Sequence, residues 1–427
     1  MPISKSQVFG IVQRLSKGLP LDALRVRLAP TPIEKRPAPP DVPAPKDWSG
    51  TGRDLRVAFV ESRGTGIPNL AGRGGQPDPA SFKGSIEQFI GMTQIPTGLI
   101  GPLRVNGLHA HGDYYVPLAT SEGSLVASYN RGARLVTRAG GVTAITTMEQ
   151  VQRTPGFVFD SMIEATQFAA WATAQFDRFA EIAAARSSHA RLLDLHTHLE
   201  ANWVYLLFQY HTGDAAGQNM VTFCTEAICQ EILATAPHPP RHWFLESNMS
   251  GDKKATVLSF QQTRGRNVMA ETVLSREIVE QGLHTTPERM CDYWRMSFVG
   301  ATRAGATGMS GHIANGIAAI FLACGQDVAC VSEASVGMTR MELTPEGHFY
   351  CCVTLPNLIV GTVGGGTRLP TAQECLRIMH CEGTGMAQRF AEICAATVLA
   401  GEISIAGAMS AGHFARAHQE LGRGGAT

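Results

Sequence analysis

No cysteine occurs before Cys224, and the ten that follow include no C-x-x-C pair. Zinc sites and disulfide scaffolds show closer, regular spacing, so neither is indicated. No metal is expected, and reduced core thiols of a cytosolic chain are the reading that remains. Charge is scarce and balanced, with 36 basic against 36 acidic residues. Binding a phosphate backbone needs a clustered excess of Lys and Arg, which excludes nucleic acid as the main partner. Long apolar runs are missing too. GIAAIFLACG, residues 316–325, is far short of the roughly 20 residues a membrane span requires. The N-terminal MPISKSQVFGIVQRLSKGL is interrupted by charge, unlike a signal peptide. These absences predict a cytoplasmic chain with no membrane segment. No G-x-G-x-x-G follows a strand-like run, so a Rossmann nucleotide fold is not supported.

What is present is a large apolar fraction, 44% of 427 residues, enough for more than one core. Seven prolines between Pro30 and Pro45 bar continuous helix or central strand there. They predict an extended linker after a short N-terminal helix, within a region 1–83. From 155 to 244 the pattern changes. GFVFD reads as a strand, SMIEATQFAAWATAQFDRFAEIAAAR as one long amphipathic helix, and LLDLHTHLEA and NWVYLLFQYHTG as two strands. NMVTFCTEAICQEILATA reads as a second helix and RHWFLES as a last strand. The order β-α-β-β-α-β is that of a ferredoxin-like unit, inserted between a first part, 84–154, and a second part, 245–427, of a larger domain. That larger domain reads as mainly helical, with helices near 273–281, 286–304, 310–323, 384–400 and 402–420. The fold class expected is α+β.

Five stretches carry candidate chemistry. GDAAGQNM, residues 213–220, ends a strand and opens a helix, where free N–H groups form a seat for phosphate. Asp214, Gly217 and Asn219 would shape the turn and offer polar groups to a nucleotide, although alone it reads as an ordinary N-cap turn. In ATSEGSLVASYNRGARL, Glu122 precedes an apolar helix as a capping residue or, if buried, as a proton donor with a raised pKa. Ser128, Asn130, Arg131 and Arg134 on the same segment would grip an anionic ligand. Asp327 closes IFLACGQD at the negative end of a helix dipole and calls for a nearby lysine; an exposed loop aspartate reads equally well. SNMSGDKKAT sets Asp252 beside Lys253 and Lys254, which alone read as a solvated loop or a phosphate clamp equally well. The last predicted helix carries His413, Arg416 and His418; a lone helix histidine is usually structural or solvated, whereas one beside an arginine and near a leaving thiolate can serve as its proton donor.

Taken in order, IEQFIGMTQIPTGLIGPL, ATSEGSLVASYNRGARL, GDAAGQNM, DKK, GRNVMAETVL, HIANGIAAIFLACGQD, VGTVGGGT and TVLAGEISIAGAMSAGHFARAH resemble the catalytic domain of the 3-hydroxy-3-methylglutaryl-CoA (HMG-CoA) reductases over about residues 84–423. The resemblance implies a large CoA-binding domain and a small ferredoxin-like domain that binds NADPH or NADH. It implies a homodimer or higher homo-oligomer with the active site at the interface; IEQFIG is similar to the family's interface segment ENVIG, with Gln88 in place of its Asn. The reaction implied is a four-electron reduction of HMG-CoA to mevalonate and CoA with two NAD(P)H, through a hemithioacetal and an aldehyde. Lys253 then matches the cation that meets the oxyanion, His418 the donor to the CoA thiolate, and Glu122 the donor to the aldehyde. Asp327 matches the aspartate that tunes both lysine and glutamate. Arg153, Asp252 and Lys254 match positions that hold the acyl portion, Asn315 an active-site asparagine, and Ser128, Asn130 and Arg131 the CoA contacts. Asp214, Gly217 and Asn219 fall in the nucleotide site, and Arg423 would meet a 2′-phosphate.

The pattern departs near the acyl site. Glu246, Ser247 and Asn248 stand where the family has Ser-Gly-Asn, and Ile359 stands where it has a glutamate. A glutamate at 246 would repel a substrate carboxylate unless it points away. These changes admit a second reading, a reductase of another acyl-CoA or carrier-bound thioester, and leave a non-catalytic CoA-binding protein as a third.

Overall fold

The structure, a computed structural model, describes residues 5–16, 19–75 and 77–412. It is a mixed α and β protein built on a largely antiparallel sheet. The strands are β1 (Thr97–Gly107), β2 (His111–Ala119), β3 (Val142–Arg153), β4 (Gly156–Val158), β5 (Arg191–Glu200), β6 (Trp203–His211), β7 (His242–Phe244), β8 (Gly265–Leu274), β9 (Met338–Leu343) and β10 (Phe349–Leu358). The helices are α1 (Lys5–Ser16), α2 (Leu21–Leu28), α3 (Gly50–Glu61), α4 (Leu125–Arg138), α5 (Met162–Ala174), α6 (Phe176–Arg186), α7 (Gln218–Thr235), α8 (Arg276–Leu283), α9 (Pro287–Ala304), α10 (Ile313–Ala323), α11 (Val331–Ala334), α12 (Pro370–Ile378) and α13 (Ala387–Ser410).

Strands run β7-β4-β6-β3-β8-β10-β9, with β5 on β6 and β1 joining β2 and, in parallel, β3. Over 156–244 the four strands lie in the order β7-β4-β6-β5, all antiparallel. The expected long helix there breaks at Gln175 into α5 and α6. The flanking parts contribute β1, β2, β3, β8, β9 and β10 together with α4 and α8 to α13, so their helices pack on a sheet. GRNVMAETVL alternates buried and exposed side chains toward its end and forms β8, so the helix expected from 273 begins at Arg276.

The two helices expected at 384–400 and 402–420 are one 24-residue helix, α13, described to Ser410. It is long and apolar enough to cross a membrane by composition, but 89% of its apolar window is buried inside the protein. α13 packs on α4, α9, α10 and the sheet. Small residues allow the approach: a Cβ at Gly132 would sit 1.9 Å from the Ala400 carbonyl oxygen, and one at Gly401 would meet the Tyr129 ring at 2.3 Å. Its buried carboxylates are used as clamps. Glu392 accepts from the N–H groups of His109 and Ala110, and Glu402 from those of Gly311 and His312.

The Pro-rich segment is not a free linker, a further correction. Arg104, fully buried, donates to the carbonyls of Thr31 and Pro37 and pairs with Asp113 at 2.8 Å. Tyr115 donates to the Pro40 carbonyl, and Arg134 meets Asp41 at 2.8 Å. Proline's missing donor rules out strand pairing but leaves its carbonyls free to accept, and the strap is held by them.

Gly132→Ala should lower stability by about 1–3 kcal/mol, the usual effect of overpacking a close helix crossing. A urea midpoint equal to that of the parent chain would show that α4 and α13 separate without cost.

Candidate active site

The loop from Ser247 to Thr256 turns through three left-handed residues, Asn248 (φ 65°), Gly251 (φ 71°) and Lys253 (φ 55°). A lysine in that region is held at a cost of about 1–2 kcal/mol, so its surroundings must fix it. Glu333, buried on α11, accepts from the Lys253 N–H at 3.3 Å. Arg264, 1% exposed, pairs with Glu333 at 2.7 Å and with Asp252 at 2.8 Å. The turn directs the Lys253 ammonium to Asp327 Oδ2 at 2.9 Å. That hydrogen bond, ahead of the opposing effect of burial, holds the lysine above its ordinary pKa. The other oxygen of Asp327 caps the turn Val328–Cys330 by accepting from the Ala329 N–H at 3.1 Å. One oxygen therefore orients the aspartate and the second serves the lysine.

Asn315, in the first turn of α10, donates to both carboxylate oxygens of Glu122 at 3.1 and 3.0 Å. Asp327 follows the opposite end of the same helix. Among the described residues no hydrogen bond joins the Glu122–Asn315 pair to the Lys253–Asp327 pair. Glu122 is exposed, on a short loop ahead of α4, and not buried as the proton-donor reading expected. The start of α10 is itself fixed from α13. Glu402 accepts from Gly311, His312 and Thr339, and although burial pushes its carboxyl up, His312 and the backbone donors outweigh this and hold it below the usual range.

Arg153, at the end of β3, pairs with Glu246 at 2.7 Å and with Asp252 at 3.4 Å. Glu246 also accepts from the Asn248 N–H at 2.8 Å and the Ser250 hydroxyl at 3.2 Å. It points into the loop and onto the arginine. Lys254 donates to the Asp252 carbonyl at 2.9 Å and is exposed. Ile359 is 2% exposed, packed in the core at the end of β10.

Gly217 caps α7 in a left-handed conformation (φ 80°), and a Cβ there would collide with Thr212 at 2.4 Å. Asp214 accepts from the N–H groups of Gly385 at 2.7 Å and Ala387 at 3.1 Å, so both its oxygens secure the entry to α13. Asn219 is exposed on the first turn of α7. On α4, Ser128 and Arg131 bond to Ser404 of α13, and Asn130 accepts from the Gly101 N–H. Burial lowers the Arg131 pKa. His418 and Arg423 lie outside the described residues.

Sequence reasoning missed Arg264, Glu333 and Gln218. Gln218, the first residue of α7, donates to Cys330 Sγ at 2.9 Å and to Asp327 Oδ2 at 3.5 Å. It thus links GDAAGQNM to the lysine–aspartate pair. Arg264 had a signal, since two arginines flank a glycine (RGR) at the start of an apolar strand and buried arginines need carboxylate partners. Glu333 had none.

The sequence profile described as hydroxymethylglutaryl-coenzyme A reductase matches residues 53–423. The chain belongs to this family. It is 44% identical over 355 residues to the 3-hydroxy-3-methylglutaryl-coenzyme A reductase of Pyrococcus abyssi, covering 81% of this chain and 86% of the relative. It is 45% identical over 342 residues to that of Methanothermobacter thermautotrophicus, covering 80% and 85%. The class II reductase of Streptococcus pneumoniae, solved bound to NADPH in open conformations, shares the fold. Its TM-score is 0.69 at 20% identity, over 85% of this chain and 99% of that one.

Asp327→Asn should bring the Lys253 pKa down toward the ordinary lysine value, because the hydrogen bond that raises it is weakened. Side-chain carbon NMR of labelled lysine across alkaline pH reads this, and an unmoved titration would dissociate the two residues.

Proposed function

We propose that this member of the HMG-CoA reductase family reduces HMG-CoA to mevalonate and CoA with two NAD(P)H. The observation that carries the reading is the Lys253 ammonium fixed 2.9 Å from Asp327 by a left-handed turn. A thioester carbonyl accepting hydride becomes an oxyanion, and a cation already oriented stabilises it without reorganising. Lys253 is that cation, and Asp327 keeps it protonated and aimed. Glu122, oriented by Asn315, supplies the proton to the aldehyde, and closure of a partner over this exposed carboxyl would provide the burial a proton donor needs. His418 protonates the CoA thiolate.

The nicotinamide nucleotide supplies hydride when bound. The chain fits it at the start of α7, whose first turn has no side-chain cap and follows a glycine with no room for a Cβ. Gly217 and Asn219 would hold it there, Asp214 would act by fixing the turn against α13, and Arg423 would favour the 2′-phosphate of NADPH. Ser128, Asn130 and Arg131 line the CoA path from α4, and Arg153, Asp252 and Lys254 the acyl end. In this reading 155–244 is the ferredoxin-like nucleotide domain, 84–154 and 245–427 form the CoA and substrate domain, and 1–83 straps onto it. A homodimer is supported by the exposed apolar side chains of Ile86, Ile90, Met92 and Ile95 in the segment similar to the family interface. Ten free cysteines, nine of them buried, fit the cytoplasm.

Purified full-length chain should oxidise NADPH or NADH in an HMG-CoA-dependent manner, two per CoA released. Lys253→Ala should lower kcat by about 100-fold or more while nucleotide binding, followed by fluorescence, persists. Turnover unchanged in that variant would remove Lys253 from the chemistry.

A further inference from the structure

We infer that Glu246 is a specificity-determining residue, an internal carboxylate that occupies on Arg153 the place a free carboxylate on the acyl group would take. Four cations surround the lysine loop: Arg153, Arg264, Lys253 and Lys254. Four carboxylates face them. Glu246 and Asp252 meet Arg153, Asp252 and Glu333 meet Arg264, and Asp327 meets Lys253. The cluster therefore holds as many carboxylates as cations. Lys254, on a backbone carbonyl, is the cation of the four without a carboxylate partner among the described residues.

Glu246 does not swing free. One oxygen meets the Arg153 guanidinium, the other accepts from the Asn248 N–H, and the Ser250 hydroxyl lies 3.2 Å from both, so the carboxylate that faces Arg153 is anchored to the turn that leads to Lys253. The Arg153 side chain is 9% exposed, and a second anion brought to it beside Glu246 would place three carboxylates on one arginine, counting Asp252. Like charges at that distance repel strongly where water is excluded. Lys254 alone is left to recognise an acyl carboxylate, and a single exposed lysine discriminates weakly. In this chain the loop's preference for a carboxylate-bearing acyl group is thus set low by Glu246. Removing its charge leaves Arg153 with surplus positive charge in the same position.

This rests on reading the loop as the acyl site, and the test separates the two. HMG-CoA is compared with 3-hydroxy-3-methylbutyryl-CoA, which differs in lacking the terminal carboxylate. KM is measured for HMG-CoA and Ki for the second thioester against it, in the parent chain, in Glu246→Gln and in Glu246→Ser. The parent chain should bind the two within about fivefold, and both variants should widen the gap in favour of HMG-CoA by about tenfold. Thermal melts establish that each variant is folded, and the serine variant serves if the glutamine variant is not. A gap that stays the same in folded variants, or a fall in kcat alone, makes Glu246 a purely loop-holding residue and overturns the inference. If the parent chain fails to turn over HMG-CoA at all, the parent reading fails instead.

Discussion

Everything at the site depends on the carboxylates buried along α13. A helix sunk in a core exposes no side chain to water, so a glutamate on it must be matched by donors or be lost as a charge. Glu402 is matched by the N–H groups that open α10, and that match sets where Asn315 and, past the other end of the helix, Asp327 emerge. Glu392 fixes the β1–β2 turn in the same manner. The helix can be this central because glycine and alanine let α4 lie against it backbone to backbone. Ser128 and Arg131 then spend their polar groups on Ser404, so the face proposed to meet CoA is also a helix seam.

A second constraint governs the lysine loop. Lys253 stands in a conformation that a non-glycine residue avoids, and it is kept there by a buried carboxylate that is itself balanced by a buried arginine. Burial pushes the Glu333 carboxyl up and Arg264 pulls it back, so neither partner can be removed without stranding the other. The strain is local, the support is distributed over α11 and β8, and the outcome is one ammonium aimed at one carboxylate. Glu246 and Arg153 continue the same network through Asp252, and the arginine is the partner that lets a glutamate stand at 246.

Much of the topology was legible from local pattern. The strand and helix order of 156–244 follows from periodicity, and the motifs near Glu122, Asp214, Lys253 and Asp327 contained side chains that the structure ties to distant partners. The errors have physical causes. Gly401 read as a break between two helices because glycine rarely sits inside a buried one; here its missing side chain admits the Tyr129 ring, and the helix runs on through Glu402, whose charge is bonded. The prolines of 30–45 read as an extended linker because proline cannot donate, yet the carbonyls of Thr31 and of Pro37 itself accept from the buried Arg104. Glu122 read as a capping residue or, if buried, as a proton donor, and in the single chain it is exposed.

The amino-acid sequence by itself determined the family, the kinds of residue available for proton and oxyanion chemistry, and the order of the elements, because these depend on residue type and short-range spacing. Tertiary structure alone decided the pairing. That Asp214 caps α13, that Gln218 reaches Asp327, and that Glu246 holds Arg153 are contacts between residues from about 90 to about 170 positions apart. No local pattern encodes such partners, since the energy that selects them arises only when burial removes water from both.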